Sequence, residues 1–434
     1  MSASKFKPVE EQLAYLKKGA AEVIPEAELK GKLEKSVRTG KPLRVYLGVD
    51  PTAPDIHLGH TVVLRKLKHF QDMGHTAIFL IGDFSAMIGD PTGRSETRPP
   101  LSREEVDANA KTYLAQVFKL LDEKRTEVRY NSEWLDKLSS YDIVRLCGHY
   151  RVARMLERED FRARLENQQP ISMHELLYPL LTAVDAVELK ADVELGATEQ
   201  KFNLLIHRDI QREYGLEGEV AFTMPILVGL DGQRKMSKSL GNYVGITEPA
   251  DEMFGKLMSL PDELMWTYYD LVTDRTPDEI AALKKEVAAG SAHPMDIKMR
   301  LAQDVISGFH GAGAARTAAG HFQRVFRDRQ APEEMPEIRL ARVPGGLRFS
   351  RQVHANAIEQ VTISLPPAQV KWSKLLADLG QSGSTSEAER VIKQNGFEVN
   401  GSVVSDPTAR INIDAPVSYE IRIGKKKFLR IVIE

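Results

Sequence analysis

The chain has 434 residues, of which 42% are hydrophobic and 28% charged, and its 59 Lys and Arg nearly balance its 61 Asp and Glu. This composition predicts globular domains and argues against disorder of the whole chain or a broadly basic nucleic-acid coat. The single cysteine, Cys147, excludes a disulfide framework and any metal site built from several cysteines. The N-terminal segment is polar, and no apolar run approaches the length of a membrane span, so we expect a cytoplasmic protein without a membrane partner.

The first elements in chain order form a strand–helix–strand unit. After helical residues 9–40, a strand is predicted over Leu43–Val49 and an amphipathic helix from about Leu58 to Met73. The apolar run Thr76–Ile81 is typical of a buried parallel strand. Such a βαβ unit predicts an α/β fold with a doubly wound, Rossmann-like parallel sheet.

The rest of the chain is predicted to be mostly helical until its last segment. A helical insertion is expected at about 104–170, two more helices around an acidic turn at Glu194–Glu199, and a buried strand over Phe222–Leu230. The predicted division is a Rossmann-like catalytic domain 1–246, an all-α domain 247–329, a linker 330–368 and a small α+β module 369–434.

Two histidines lie where the first strand leads into its helix. His57 and His60 are three residues apart, and Gly59 between them allows a ligand to approach the backbone. Because a helix N-terminus favours an anion, the group suits a polyphosphate. Taken alone, the pattern fits a metal site or a helix cap equally well.

A second motif, Lys235-Met236-Ser237-Lys238-Ser239, occupies the polar loop after the last predicted strand. Two lysines that flank small hydroxyl residues can grip a triphosphate and move with it. Taken alone, such a string is more often a solvated basic loop. The two motifs together, in this order, resemble those of the class I aminoacyl-tRNA synthetases.

The resemblance is to bacterial tyrosyl-tRNA synthetases, and it covers essentially the whole chain. The matching segments are Tyr46–Ala53, Ile88–Arg94, Leu177–Pro179 leading to Asp185, and Ala191–Gly196. The resemblance implies a homodimeric enzyme that condenses L-tyrosine with ATP to tyrosyl-adenylate and pyrophosphate, then transfers the tyrosyl group to its tRNA. Mg²⁺ would accompany ATP, with no dedicated protein metal site and no tightly bound cofactor.

The resemblance also implies which residues contact the nucleotide. Catalysis would come from positioning and from cationic stabilisation of the leaving pyrophosphate. The implied catalytic phosphate contacts are His57, His60, Thr52, Lys235, Lys238, Arg94 and Arg98. The implied ATP-binding residues are Gly48, Asp50, Gly59, Met236, Ser237 and Ser239.

Amino-acid selection requires buried polar groups that a competing amino acid would leave unpaired. By resemblance, Tyr46 and Asp185 would meet the phenol hydroxyl, and Asp90 and Tyr178 the ammonium group. Asp185 lies in an otherwise apolar helix, where an unpartnered carboxylate is costly to bury. The implied tyrosine-binding residues are Tyr46, Ser85, Asp90, Tyr178, Thr182, Asp185 and Gln200.

Two stretches depart from the family's pattern. Where the family commonly has Gln-Ala-Tyr-Asp, this chain has Thr182-Ala183-Val184-Asp185, and we hypothesise that a water or a shifted Asp90 fills the space beside the shorter Thr182. The family's Gly-Gly-Thr-Asp-Gln appears as Gly196-Ala197-Thr198-Glu199-Gln200. The sequence identifies no partner for four histidines, which therefore have no assigned role. They are His149, His174, His207 and His310.

The C-terminal segment resembles a small RNA-binding module that a small-subunit ribosomal protein also carries. Its cations would contact tRNA phosphates, while the helical residues 247–329 would reach the anticodon arm. A solvated strand edge would carry similar lysines. The implied RNA-binding residues are Lys374, Arg390, Lys425, Lys426 and Lys427.

Three other functions stay open at the level of sequence. The C-terminal module and the lysine loop count against a nucleotidylyltransferase that acts without tRNA. The pair Tyr46 and Asp185 counts against a tryptophanyl-tRNA synthetase. The intact motif residues His57, His60 and Lys238 count against a non-catalytic RNA-binding protein derived from a synthetase.

Overall fold

The structure is a computed structural model in which the chain forms two compact units, Met1–Arg316 and Thr317–Glu434. The residues that it describes are 6–51, 55–89, 102–324, 335–343, 346–354, 357–364, 369–413, 415–424 and 427–434. No helix in these ranges is both long enough and apolar enough to cross a membrane.

A six-stranded sheet forms the centre of the first unit. Its strands are β1 (Glu22–Ile24), β2 (Arg44–Val49), β3 (Thr76–Ile81), β4 (Thr126–Tyr130), β5 (Val193–Ala197) and β6 (Val220–Met224). In the order β1-β6-β5-β2-β3-β4, edge strand β1 is antiparallel to β6 and the other pairs are parallel. The chain runs outward from β2 through β3 and β4 and then adds β5 on the other side. This confirms the doubly wound α/β fold, in which a ligand crevice is expected between β2 and β5 at the carboxyl ends of the strands.

Helices pack against this sheet and extend beyond it. Helix α3 contacts β2, β3 and β5, while α11 contacts β5 and β6. The helices are α1 (Val9–Leu16), α2 (Glu26–Thr39), α3 (Leu58–Asp72), α4 (Ser85–Ile88), α5 (Arg103–Val117), α6 (Ser132–Leu135), α7 (Ser140–Gly148), α8 (Val152–Met155), α9 (Glu159–Glu166), α10 (Met173–Leu189), α11 (Lys201–Glu213), α12 (Ala250–Met258), α13 (Met265–Val272), α14 (Pro277–Ala288) and α15 (Pro294–Phe322). Short 3₁₀ turns cover Glu123–Arg125, Thr198–Gln200 and Asp262–Leu264. Within α15, Gly311 has a non-helical backbone with φ 83° and ψ 160°.

Three strands of this sheet lie where the sequence predicted something else. Strand β1 interrupts the predicted helical residues 9–40, and β4 lies inside the predicted helical insertion. Both are edge strands, which need fewer apolar residues because only one side is paired. Strand β5 replaces the turn predicted at Glu194–Glu199. It was missed because its buried Glu194 interrupts the apolar run that marks a buried parallel strand.

The second unit is mainly an antiparallel sheet with two helices. Its elements are β7 (Glu337–Val343), β8 (Gly346–His354), β9 (Ala357–Ser364), β10 (Gln369–Lys371), α16 (Trp372–Asp378), α17 (Thr385–Lys393), β11 (Phe397–Val399), β12 (Ser402–Val403), β13 (Arg410–Asn412), β14 (Val417–Ile423) and β15 (Lys427–Ile433). Seven strands form one sheet in the order β12-β11-β14-β15-β7-β8-β9, and β10 pairs with β13. Its core includes Trp372, Leu375, Ile392 and Phe397.

The predicted linker 330–368 contains β7, β8 and β9 and so is not a linker over those strands. Strand β7 pairs in parallel with β15 and buries Leu340 in the core of the second unit. The prolines at either end of this segment obscured the short alternation of apolar residues within it. The three-domain division of the chain otherwise stays a prediction.

Candidate active site

A cavity of about 330 Å³ lies at the crevice that the strand order predicts. It is lined by the last residues of β2, β3 and β5 and by residues of α3, α10 and α11. The predicted site residues that it brings together are Tyr46, Gly48, Asp50, Gly59, His60, Ser85, Tyr178, Thr182, Asp185 and Gln200. The predicted residues Thr52, Asp90, Arg94, Arg98, Lys425 and Lys426 lie outside the described residues.

Helix α10 supplies one wall of the cavity. Tyr178, Thr182 and Asp185 are spaced by four and three residues, so they share one face of the helix. The helix starts at a capping box in which the Glu175 carboxylate accepts the Ser172 backbone N–H at 2.9 Å. This spacing carries all three side chains to the cavity.

Six side chains form a hydrogen-bonded series that we name the Asp50 chain. Its members in order are Tyr178, Asp50, Ser85, Asn131, Asp185 and Trp134. Asp50 directly follows β2 and accepts the Tyr178 hydroxyl at 2.9 Å and the Ser85 hydroxyl at 2.6 Å. A Cβ on Gly82 would lie 2.1 Å from Asp50 Oδ1, so this position requires glycine.

The other half of the Asp50 chain satisfies the buried carboxylate of Asp185. The Asn131 amide donates to Ser85 Oγ at 3.0 Å and to Asp185 Oδ2 at 3.3 Å. The Trp134 indole donates to Asp185 Oδ1 at 2.7 Å. Burial raises the pKa of Asp185 well above its ordinary value, and these two donors oppose that rise. The protein thus supplies two partners for this carboxylate that the sequence did not reveal.

A second group, which we name the His207 chain, consists of the hydrogen-bonded residues Thr182, His207 and Glu194, with the Glu219 carboxyl group beside them. His207 Nδ1 lies 3.0 and 2.9 Å from the two carboxylate oxygens of Glu194, and Nε2 lies 3.0 Å from Thr182 Oγ1. The imidazole therefore lies beside Thr182, where the sequence predicted a water or a shifted Asp90. Asp90 itself is outside the described residues.

Within the described residues, the His207 chain also contains a group that could hold a metal ion. One ligand atom each from Glu194, His207 and Glu219 lies within 4.8 Å of the others, and all three residues are buried. Both ring nitrogens of His207 are already at hydrogen-bonding distance from protein oxygens. Burial, and then the charge of Glu194, raises the pKa of Glu219 well above its ordinary value, which favours a neutral carboxyl group. Hydrogen bonds therefore account for the placement of His207 and Glu194, whereas neither carboxyl oxygen of Glu219 makes a hydrogen bond among the described residues.

Tyr46 lies between the two chains on β2. It pairs in register with Glu194 on β5, so both side chains lie on the same side of the sheet. The Tyr46 side chain is fully buried, and its hydroxyl makes no hydrogen bond of good geometry among the described residues. Burial raises the pKa of Tyr46 well above its ordinary value, and the nearby Glu194 carboxylate raises it further.

The histidine motif caps helix α3 at the other end of the cavity. His57 Nδ1 accepts the Gly59 backbone N–H at 3.1 Å, and His60 Nδ1 accepts the His57 backbone N–H at 3.2 Å. Because both Nδ1 atoms accept, each neutral ring carries its proton on Nε2. Burial lowers the pKa of His57 to about 3 and of His60 to about 4, with Lys238 acting in the same direction. Near pH 7 both rings are therefore neutral Nε2–H donors.

The lysine motif lies next to these histidines. A Cβ on Gly59 would be 2.9 Å from the His57 ring and 3.5 Å from Met236 Cβ, so Gly59 permits this close packing. Lys235 Nζ lies 3.2 Å from a Glu199 carboxylate oxygen, and Lys238 Nζ lies 2.8 Å from Asp55. Each lysine thus has an exposed carboxylate partner that a bound polyphosphate could replace.

Backbone contacts hold the lysine motif in a defined loop. Asn242 accepts the Ser237 backbone N–H at 2.8 Å and donates to the Lys235 carbonyl at 3.0 Å. The Ser237 and Ser239 hydroxyls lie 2.9 Å apart. The Met236 backbone N–H donates to the Leu227 carbonyl at 2.8 Å. The loop therefore has a fixed base from which the lysine side chains extend.

Comparisons with known proteins agree with this geometry. Residues 38–327 match the family model described as tRNA synthetases class I (W and Y). A tyrosine–tRNA ligase from Geobacter sulfurreducens is 51% identical over 98% of this chain and 99% of its own length. The chain belongs to the tyrosine–tRNA ligase family of class I tRNA synthetases. A relative of the same name from Bordetella avium is 49% identical over 98% of this chain and 96% of its own length.

Solved structures of the family support the fold. The tyrosyl-tRNA synthetase of Archaeoglobus fulgidus, solved with L-tyrosine, has a TM-score of 0.57 and 25% identity, covering 72% of this chain and all of its own. A C-terminally truncated mitochondrial enzyme of Aspergillus nidulans has a TM-score of 0.61 and 22% identity, covering 74% of this chain and 95% of its own.

Several residues at the site of this synthetase were missed by the sequence predictions. His207 had no assigned role, yet it and Asn203 line the cavity four residues apart on α11. Two polar residues on one buried helix face could have signalled a site. No comparable signal marked Asn131 and Trp134, which lie at the short helix α6.

The predicted RNA-binding cations of this family member lie on the second unit. Lys374 pairs with Asp378 at 3.1 Å, and Lys427 Nζ donates to the Gln381 carbonyl at 3.1 Å. Arg390 is exposed on α17. All three are at the surface, and their role in RNA binding stays a prediction.

Proposed function

We propose that the protein is a cytoplasmic tyrosine–tRNA ligase. It activates L-tyrosine with Mg²⁺-bound ATP to tyrosyl-adenylate and pyrophosphate, and then transfers the tyrosyl group to the 3′-terminal ribose of tyrosine tRNA. The observation that carries the proposal is the buried Tyr46 hydroxyl, which lines the same cavity as Asp185 and makes no hydrogen bond of good geometry among the described residues. A substrate phenol would supply the missing hydrogen bond.

Selection of tyrosine follows from this pair of residues. The Asp185 carboxylate is held by Trp134 and Asn131 and can still accept a bond from a phenol hydroxyl. Phenylalanine offers no hydroxyl to Tyr46 and Asp185 in this buried site, and a site built to hydrogen-bond a substrate hydroxyl discriminates by about 10⁴ to 10⁵. Tyr178, Ser85 and Gln200, together with Asp90 and Thr182, complete the proposed tyrosine site.

Adenylate formation requires in-line attack of the tyrosine carboxylate on the α-phosphorus of ATP. The bond to the bridging oxygen breaks, and the leaving pyrophosphate takes the electron pair. The neutral Nε2–H groups of His57 and His60 would donate to the phosphates as this charge develops. Lys235 and Lys238 would leave Glu199 and Asp55 for the pyrophosphate.

The remaining phosphate and nucleotide contacts are proposed from the family resemblance. Mg²⁺ accompanies ATP as part of the substrate and needs no ligand cage of protein atoms. The proposed phosphate contacts are Thr52, Arg94 and Arg98, and the proposed nucleotide contacts are Gly48, Asp50, Gly59, Met236, Ser237 and Ser239.

The second half-reaction needs a bound tRNA. The exposed cations of the C-terminal unit would contact its phosphates and position it without reading sequence. The proposed contacts are Lys374, Arg390, Lys425, Lys426 and Lys427, with residues 247–329 reaching the anticodon arm.

We also propose a homodimer, supported by a group of exposed apolar residues. Five large apolar side chains in helices α7 to α10 are more than half exposed, and such residues mark association surfaces. They are Tyr141, Val144, Val152, Leu165 and Met173. Light scattering of the purified protein is expected to give twice the chain mass, and replacing Leu165 with Glu is expected to shift it toward the monomer.

The experiment that tests the function is pyrophosphate exchange into ATP with each amino acid in turn. Exchange with tyrosine alone is expected. Exchange with tryptophan would show a tryptophanyl-tRNA synthetase, the other kind of enzyme that the family model covers. Exchange with no amino acid would favour an RNA-binding protein derived from a synthetase. His60→Asn should slow tyrosine-dependent exchange about 10²- to 10³-fold. The matched control His174→Asn changes an exposed histidine and should have no effect.

A further inference from the structure

One buried amide spans the base of the lysine motif. Asn242 is only 5% exposed, and its side-chain oxygen accepts the Ser237 backbone N–H at 2.8 Å. Its N–H₂ group donates to the Lys235 carbonyl at 3.0 Å and to Asp231 Oδ2 at 2.9 Å. A single side chain therefore binds the backbone of the motif at two points and joins it to the turn at Asp231.

The partners of this amide permit one orientation only. Carbonyl and carboxylate oxygens accept, whereas a backbone N–H donates, so the N–H₂ group must face Lys235 and Asp231 and the amide oxygen must face Ser237. Asp231 is a carboxylate near pH 7, because the Gln233 and Arg234 backbone N–H groups hold its pKa below its usual range. Turning the amide over would place its oxygen against two acceptors and its N–H₂ group against a donor.

Close packing and backbone contacts fix the position of Asn242. A Cβ on Gly229 would lie 2.3 Å from Asn242 Nδ2 and 2.7 Å from its backbone oxygen, so residue 229 must be glycine. The Leu230 backbone N–H donates to the Asn242 carbonyl at 2.9 Å. Two residues further, the Val244 carbonyl accepts the backbone N–H of Leu58, the first residue of α3, at 2.9 Å. Asn242 therefore connects the lysine motif to the start of the helix that carries the histidine motif.

We propose that Asn242 is a positioning residue for the lysine motif. By fixing the backbone at Lys235 and Ser237, it aims the two lysine side chains at the leaving pyrophosphate. The proposal rests on the proposed function, because it assumes that these lysines contact pyrophosphate during adenylate formation. Asn242 acts through the backbone of the motif and does not bind the reacting atoms. A base that is already ordered leaves less freedom to lose as the lysines meet the charge of the transition state, so kcat should depend on Asn242 more than KM does.

The first test replaces the amide by a carboxylate of the same shape. In Asn242→Asp an oxygen faces the Lys235 carbonyl and the Asp231 carboxylate, so two hydrogen bonds become repulsive contacts. In tyrosine-dependent pyrophosphate exchange, kcat should fall about 10- to 100-fold, while KM for tyrosine stays unchanged. Gln233→Glu, which adds one negative charge at an exposed position of the same loop, is the matched control and should change kcat no more than a few-fold.

Exchanging the two side chains separates positioning from a loss of stability. In Asp231→Asn the new amide oxygen must still accept the Gln233 and Arg234 backbone N–H groups, so its N–H₂ group faces that of Asn242 and kcat should fall. When Asp231→Asn is combined with Asn242→Asp, the amide at 231 can donate to the carboxylate at 242, and part of the lost kcat should return. Thermal unfolding checks that each variant is folded. Asp231→Asn changes an exposed residue and gives the same test if Asn242→Asp does not fold.

The second readout is transfer of the tyrosyl group from preformed, enzyme-bound tyrosyl-adenylate to tRNA. Pyrophosphate takes no part in this step, so single-turnover transfer in Asn242→Asp should occur at the wild-type rate. An equal loss in transfer and in exchange, no recovery in the double variant, or wild-type kcat in either folded single variant contradicts the proposal. Failure of the wild-type protein to catalyse exchange with tyrosine would instead contradict the proposed function.

Discussion

The two hydrogen-bonded chains around the cavity differ in how completely donors match acceptors. In the Asp50 chain, two hydroxyls, an amide and an indole donate to two carboxylates, so the direction of each bond is fixed. In the His207 chain, the imidazole contacts the Glu194 carboxylate, while the buried Glu219 carboxyl group beside it makes no hydrogen bond among the described residues. The first chain is rigid because alternative arrangements leave donors unpaired. The second chain has more acceptors than donors, and it depends on one residue, His207, for the hydrogen bond to Glu194.

The largest expected effect breaks the Asp50 chain at Asp185. Asp185→Asn replaces an acceptor oxygen with an N–H₂ group, which must face a donor from either Trp134 or Asn131. We expect kcat/KM for tyrosine in pyrophosphate exchange to fall about 10³-fold or more. Glu188→Gln, at an exposed position of the same helix, is the matched control and should change nothing. A small loss at Asp185 would show that its carboxylate does not contact the substrate.

A buried histidine outside both chains, His75, has only neutral partners. His75 is buried between the Leu43 backbone N–H and the Gln12 amide, both neutral, and burial lowers the pKa of His75 to about 4. In the unfolded chain its pKa is near 6.5. The contribution of His75 to the free energy of unfolding is therefore fully present above pH 6.5. It is lost as the pH falls toward 4, because the unfolded state then binds more protons than the folded state.

The expected result is an acid-sensitive stability that depends on His75. Because of His75, the free energy of unfolding of the wild-type protein should be about 2 kcal/mol lower at pH 5 than at pH 7. His75→Gln should remove that part of the pH dependence, whereas His174→Gln, at an exposed site, should not. Denaturant unfolding at both pH values measures the difference. The same pH dependence in His75→Gln as in wild type would contradict the assignment.

A smaller effect is expected where the Asp50 chain ends at Trp134. Trp134→Phe keeps most of the buried ring and removes only the indole N–H that Asp185 accepts at 2.7 Å. We expect kcat/KM for tyrosine to fall about tenfold, since Asn131 still holds the carboxylate. Trp266→Phe on α13 is the control for loss of an indole elsewhere. If both variants behave alike, the Asp50 chain has no role in substrate binding.

The sequence predicted the Asp50 chain better than the His207 chain for a physical reason. Four of its six members were predicted, and three of these, Asp50, Tyr178 and Asp185, belong to motif strings, where neighbouring residues identify one another. Asn131 and Trp134 reach Asp185 only through the folding of a segment about fifty residues away. In the His207 chain only Thr182 was predicted, because the other members come from strand β5, helix α11 and the residue before β6.

The fold shows the same limit. Strands β2 and β3 were predicted within one residue at each end, since continuous apolar runs mark parallel strands that are buried on both faces. Strand β5 was missed because Glu194, a charged residue, is the second of its five residues and interrupts the apolar run. Glu194 can be buried because helix α11 brings His207 to its carboxylate. No local pattern in the sequence indicates that contact.

The smallest expected effect tests the space beside Thr182. Thr182→Gln puts a longer side chain where the His207 imidazole lies 3.0 Å from Oγ1, so the glutamine must displace the ring or turn toward the cavity. Either movement disturbs the tyrosine site but not the phosphate site, and we expect KM for tyrosine to change a few-fold with KM for ATP unaltered. Thr182→Ser, which keeps the hydroxyl, should leave both constants near the wild-type values. An unchanged KM for tyrosine in Thr182→Gln would mean that this position does not touch the substrate. The His207 chain would then differ from the Asp50 chain in acting only at a distance.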